Sequence, residues 1–129
     1  MKSIGKIIYS PYTHLSSSKN WAVLICDDEI SRYYRHLFSV EFPWRGKLIR
    51  PTWGAHISWI RNEKIPNDHL WGLDDGKIIE FDYAGGVKDN GVSFWLDVKC
   101  NHLLHLRYMY NLCTYPRFGL HLSIGKLSF

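Results

Sequence analysis

The sequence predicts a single α+β domain over residues 1–129 on three observations: apolar runs of strand length, two stretches with helical periodicity, and a strand–helix–strand order that occurs twice. A chain of 129 residues can bury one real core, and 46% apolar with 22% charged residues is ordinary for a soluble domain. Lys6 to Tyr9 reads as a strand stopped by Pro11, with a polar loop through Asn20 after it. Trp21 to Cys26 is a continuous apolar run of strand length. Asp27 then serves as N-cap, and Asp28 and Glu29 place negative charge where a helix dipole favours it. Ile30, Tyr33, Tyr34, Leu37 and Phe38 follow at helical spacing, so one amphipathic helix runs until just before Pro43.

Lys47 to Arg50 leads past Pro51 into the apolar run Gly54 to Ile60, which ends near Arg61. Asn62 to Asp75 is a loop or short helical turn carrying Trp71, closed by the turn signal Asp74-Asp75-Gly76. Lys77 to Tyr83 and Val92 to Cys100 form a long hairpin across the glycine-rich Ala84 to Gly91. In its second arm Val92, Phe94, Leu96 and Val98 alternate with Ser93, Trp95, Asp97 and Lys99, so one face is core and the other holds a Trp and a Lys. Asn101 caps a second helix to about Leu112, with Leu103, Leu106 and Tyr110 on one face. Beyond Pro116, the apolar run Gly119 to Gly125 closes the chain.

Two of these runs carry the same tripeptide pattern: His56-Ile57-Ser58 and His121-Leu122-Ser123. In a strand each His and the Ser two residues later share a face, while Ile57 and Leu122 point into the core. With seven histidines in the chain, composition alone yields roughly 0.08 such matches, so two are unexpected. His14-Leu15-Ser16 has the tripeptide too, but lies in a polar stretch without a strand pattern and is set aside. The two strand–helix–His-strand units read as a worn duplication about a pseudo-two-fold axis, which would bring the His strands together at its centre.

Such a pair suits phosphodiester chemistry. One imidazole takes a proton from an attacking hydroxyl, the other protonates the leaving oxygen, and Ser58 and Ser123 donate to the non-bridging oxygens. No metal is required. His121 is assigned as base and His56 as acid, roles a symmetric pair can exchange. Arg61, at the exit of the first motif, is a candidate for a second phosphate, and Tyr12, Trp71 and Trp95 are candidates for stacking on bases. The competing readings are structural: core histidines, surface arginine and aromatics used for packing. Asp27-Asp28-Glu29 reads as capping rather than a metal cluster, and His102 and His105 as exposed helix histidines.

The net charge of +4, without a Lys/Arg run of five or more, favours a small anionic ligand over a long nucleic-acid track. Cys26, Cys100 and Cys113 are odd in number and contain no Cys-x-x-Cys, so neither a disulfide framework nor a thiolate zinc site is expected. Without a secretory-type leader or a bilayer-length apolar run, the expected location is the cytoplasm, with no membrane partner.

The paired motifs Ala55-His56-Ile57-Ser58-Trp59 and Leu120-His121-Leu122-Ser123-Ile124 resemble the two His-x-Ser/Thr signatures of the 2H phosphoesterase superfamily, with Ser where members commonly carry Thr. The compact viral and phage branch, which includes enzymes degrading the cyclic oligonucleotide signals of CBASS immunity, is the closer resemblance. It implies a bilobal fold of antiparallel sheets with two helices packed outside and a central, metal-free cleft, no cofactor, and cleavage of cyclic or 2′,5′-linked nucleotides. A non-catalytic nucleotide sponge and an RNA 2′,3′-cyclic phosphodiesterase or RNA end-processing protein remain alternatives, the last with short RNA as partner.

Overall fold

A computed structural model describes residues 1–9, 21–61, 63–66, 68–116 and 118–128. Among them are two helices, α1 (Asp28–Glu41) and α2 (Asn101–Met109), and eight strands: β1 (Lys2–Tyr9), β2 (Trp21–Cys26), β3 (Leu48–Ile49), β4 (His56–Arg61), β5 (Ile78–Tyr83), β6 (Lys88–Asp89), β7 (Ser93–Lys99) and β8 (His121–Leu127). The fold is α+β and mostly β. All pairings are antiparallel, in the order β3-β8-β7-β5-β1-β2-β4, with β6 also on β7.

The sheet has a narrow waist. Four strands, β4-β2-β1-β5, make one part and β3-β8-β7-β6 the other; they join only where Asp82 and Tyr83 of β5 pair with Lys99 and Val98 of β7. The expected hairpin therefore exists, but its first arm gives most of its length to β1 and only its end to β7. Because β4 and β8 are far apart in strand order yet lie against one another, the sheet curls to bring the two His strands together.

Local departures from the sequence reading have physical causes. β1 begins at Lys2 rather than Lys6, because pairing on both edges, with β2 and β5, holds residues whose own pattern is weak. Leu48–Ile49 does not lead into β4 but pairs with the end of β8. Asp27 caps α1 as expected, its carboxylate accepting from the Glu29 N–H at 3.0 Å. Asn101 does not cap α2: Cys100 holds that position without a side-chain bond, and the helix ends at Met109. The α2 face of Leu103, Leu106 and Tyr110 is fully buried as expected. In α1 Tyr34 and Phe38 of the expected stripe are buried, but Ser31 joins them, while Tyr33 is 56% and Leu37 38% exposed.

That rotation of α1 has a reason in β8. Ser31 Oγ donates to the Ser123 carbonyl (3.2 Å) and Arg35 to the Ile124 carbonyl (2.9 Å), so polar side chains belong to the buried face. A reciprocal bond runs the other way, from Arg107 of α2 to the Trp59 carbonyl of β4 at 2.8 Å. Each helix is thus docked on the His strand of the opposite repeat. Arg107 is 1% exposed, and its remaining N–H groups reach Glu63 twice (2.6 and 3.0 Å) and the carbonyls of Cys113 and Tyr115.

Removing the buried Arg107 strands the part-buried Glu63 carboxylate and takes a donor from the Trp59, Cys113 and Tyr115 carbonyls. Arg107→Met is accordingly expected to cost about 3–5 kcal/mol in urea unfolding, and adding Glu63→Leu to recover much of it. A loss below about 1 kcal/mol would contradict this role.

Candidate active site

The two motifs are built alike beyond their tripeptides. Pro51 and Gly54 close a turn through Gly54 N–H to Pro51 C=O at 3.1 Å, and Pro116 and Gly119 do the same at 2.9 Å. Both glycines have positive φ, +76° and +68°, where a Cβ is strained, so each turn requires glycine. The pattern Pro-x-aromatic-Gly-x-His-apolar-Ser, followed at the third position by Arg61 or Lys126, is a longer repeat than the tripeptide. It was readable in the sequence, since every element of it lies at matching spacing.

Geometry follows the repeat. Along β4, His56 and Ser58 are half-buried while Ile57, Trp59 and Ile60 are buried; along β8, His121, Ser123, Leu122, Ile124 and Gly125 show the same order. Each strand also carries an irregularity at one place: Trp59 is the extra residue opposite Ala22–Val23, and Ile124 the extra residue opposite Phe94–Trp95. These bulges, directly after each Ser, end the alternation that presents His and Ser together. Their carbonyls are the ones that Arg107 and Arg35 hold.

Each imidazole is oriented by its own turn. His56 Nδ1 lies 3.0 Å from the Gly54 carbonyl and His121 Nδ1 3.4 Å from that of Gly119. A carbonyl only accepts, so Nδ1 carries the proton and Nε2 is left for chemistry. A tryptophan ring meets each imidazole edge-on, Trp21 at 6.2 Å from His56 and Trp95 at 6.3 Å from His121. Trp21 Nε1 also donates to Ser58 Oγ at 3.2 Å, which leaves the serine proton free to be donated onward. Opposite His56 in the register stands Ile25, and opposite His121 stands Asp97, whose carboxylate pairs with Lys88.

His56, Ser58, His121 and Ser123 all line one cleft of about 670 Å³, together with Trp59, Arg61, Glu63, Pro116, Phe118 and Gly119. Arg61 sits where the sequence suggested, its guanidinium 5.4 Å over the Trp21 ring. Trp95 borders His121 without lining the cleft. Trp71 is outside it, packed against the rings of Tyr9 (4.8 Å) and Tyr110 (5.9 Å), whose hydroxyls bond each other and the Leu73 and Leu70 carbonyls and so leave the ring faces to Trp71. Tyr12 falls outside the described residues. Phe118, Glu63 and Trp21 are site residues that the sequence reading missed; only Phe118, at the aromatic position of the longer repeat, had a signal.

His102 Nε2 is 2.8 Å from Asp74 Oδ2, tying α2 to the 74–76 turn. Among the described residues no three His, Cys, Asp or Glu side chains gather as around a metal ion, and no helix is long and apolar enough to cross a membrane. In comparisons with protein-family models, curated proteins and solved structures, nothing matches this chain.

Burial lowers the His56 pKa from its usual value; the bond to Gly54 opposes this, and the charges of Arg61 and His121 add to it. The unfolded chain therefore binds more protons than the folded one in the window between the folded value and about 6.5. Stability is full above that window and falls as pH drops through it. Urea midpoints measured from about pH 7.5 down to about pH 5 are expected to decline less steeply in His56→Gln than in the parent, and equal slopes would contradict a buried neutral imidazole.

Proposed function

We propose that this chain is a metal-independent phosphodiesterase acting on small cyclic or 2′,5′-linked nucleotides by paired-histidine acid–base catalysis. The observation that carries this reading is the convergence of two identically built His-x-Ser units, each with Nδ1 satisfied by its own turn, on one cleft. The resemblance to 2H phosphoesterases, including their bilobal form, is supported by the two-residue waist of the sheet and by the reciprocal docking of the helices.

In this scheme His56 Nε2, kept neutral by burial, takes the proton of the attacking 2′-hydroxyl or water. The new oxygen–phosphorus bond forms, the opposite phosphorus–oxygen bond breaks, and His121, entering the step as the imidazolium with protons on both ring nitrogens, gives its Nε2 proton to the departing oxygen and returns to the Nδ1–H form. Base and acid are assigned here the other way from the sequence reading, where His121 was base; a paired set can exchange the roles, and the lowered His56 pKa suits a base. Ser58 and Ser123 donate to the non-bridging oxygens as charge grows there, and Arg61 balances the phosphate. A volume of about 670 Å³ is within the range of pockets that enclose small ligands. Among the described residues that line the cleft Arg61 is the one arginine or lysine, a lining that suits a small anion better than a long nucleic-acid track.

Incubation with cyclic dinucleotides in EDTA, followed by chromatography, is expected to show new linear products and a bell-shaped pH profile. His56→Ala and His121→Ala are each expected to lower kcat/KM by about 100- to 10,000-fold with the fold retained. Full activity of both variants would overturn the proposal, and ligand that stays bound and unaltered would identify a sequestering protein instead.

A further inference from the structure

The two motifs part company at one position of the register. In the first, Trp21 stands opposite Arg61 and Val23 opposite Ser58; in the second, Ser93 stands opposite Lys126 and Trp95 opposite Ser123. Residues that face one another across antiparallel strands share a side of the sheet, so the bulged residues Trp59 and Ile124 are what bring each Ser and the cation three positions later onto one side. The scaffold is repeated, but the place that Trp21 fills in β2 holds Ser93 in β7. The tryptophans beside the two imidazoles are therefore not equivalents.

Trp21 is 4% exposed and is not among the residues that line the cleft, yet it contacts three that are. Its Nε1–H donates to Ser58 Oγ at 3.2 Å, its ring lies 5.4 Å from the Arg61 guanidinium, and it meets the His56 ring edge-on at 6.2 Å. A serine hydroxyl carries one proton and accepts on its lone pairs, so an indole donor at the oxygen fixes where that proton cannot point. Arg61 makes no ion pair with a carboxylate among the described residues, and the indole face is the contact that orients it. Trp95 meets His121 edge-on, and among the described residues no hydrogen bond joins it to Ser123.

We infer that Trp21 is the positioning residue of the anion site: with its N–H on Ser58 and its ring on Arg61 it holds the two as one donor set, and so makes the first motif the half of the cleft that grips the phosphoryl group. The inference rests on the phosphodiesterase reading above. Trp21 touches no substrate atom in this scheme and acts through the residues it orients.

Three variants of the full chain test it. Trp21→Phe keeps a ring for Arg61 and removes the N–H, Trp21→Leu removes both, and Ser58→Ala removes the acceptor. With a cyclic dinucleotide as substrate, Trp21→Phe is expected to lower kcat about 5- to 50-fold with KM changed less than about 3-fold. Trp21→Leu is expected in addition to raise KM, and the Kd of inorganic phosphate measured by calorimetry, about 3- to 10-fold. Placed on Ser58→Ala, Trp21→Phe is expected to lower kcat by less than about 2-fold more, because the oxygen it orients is gone. An equal loss on both backgrounds would make Trp21 a merely structural residue and overturn the inference.

Protein labelled with ¹⁵N at tryptophan asks the same question without turnover and with the native side chain in place. The Trp21 indole N–H signal is expected to move in Ser58→Ala, and in the parent to move on titration with inorganic phosphate, since a hydroxyl that donates to the anion polarises the bond it accepts. An indole signal indifferent to both would overturn the inference. A parent that cleaves no nucleotide while this signal follows phosphate would instead strike at the phosphodiesterase reading and support the anion site.

Discussion

Everything at the site depends on two backbone carbonyls being occupied. The residues Trp59 and Ile124 that follow the motif serines lie in bulges, and a bulge leaves backbone groups outside the regular ladder. Left unsatisfied in the interior they would cost as much as broken hydrogen bonds. Arg107 and Arg35, each from the helix of the opposite repeat, supply the missing donors. The bonds are reciprocal, so neither His strand is held by its own unit alone. A sheet whose two parts share only two residue pairs is closed over the cleft by these contacts and by the packing of the helices behind them.

The symmetry of the scaffold stops short of the chemistry. Both imidazoles have the same tautomer and an edge-on tryptophan, yet Trp21 is buried and bonded to Ser58 while Trp95 is only half-buried. Arg61 of the first motif and Phe118 of the second line the cleft, and their counterparts Lys126 and Trp53 are not among its lining residues. Burial also favours the neutral form at His56.

What could be read from the sequence was local or periodic. The strand-length run Trp21 to Cys26, the Asp27 cap, the α2 stripe of Leu103, Leu106 and Tyr110 and both His-x-Ser strands follow from patterns within a dozen residues. On α1 the apolar spacing gives Tyr34 and Phe38 correctly but also favours Tyr33 and Leu37, because the carbonyls about ninety residues away that turn Ser31 and Arg35 inward leave no local pattern. Arg107 looked like any helix arginine for the same reason: its partners Trp59 and Glu63 are more than forty positions distant. Trp71, a candidate for base stacking in the sequence, packs against Tyr9 and Tyr110, a contact no spacing encodes.

The central claim is that two distant imidazoles address a single anion. Inorganic phosphate titrated into protein labelled with ¹⁵N at histidine tests it directly, with the Nε2 signals of His56 and His121 followed by NMR. The account predicts that both signals shift along one saturable curve with a common Kd. Movement of one signal alone, or of the two along separate curves, would contradict it.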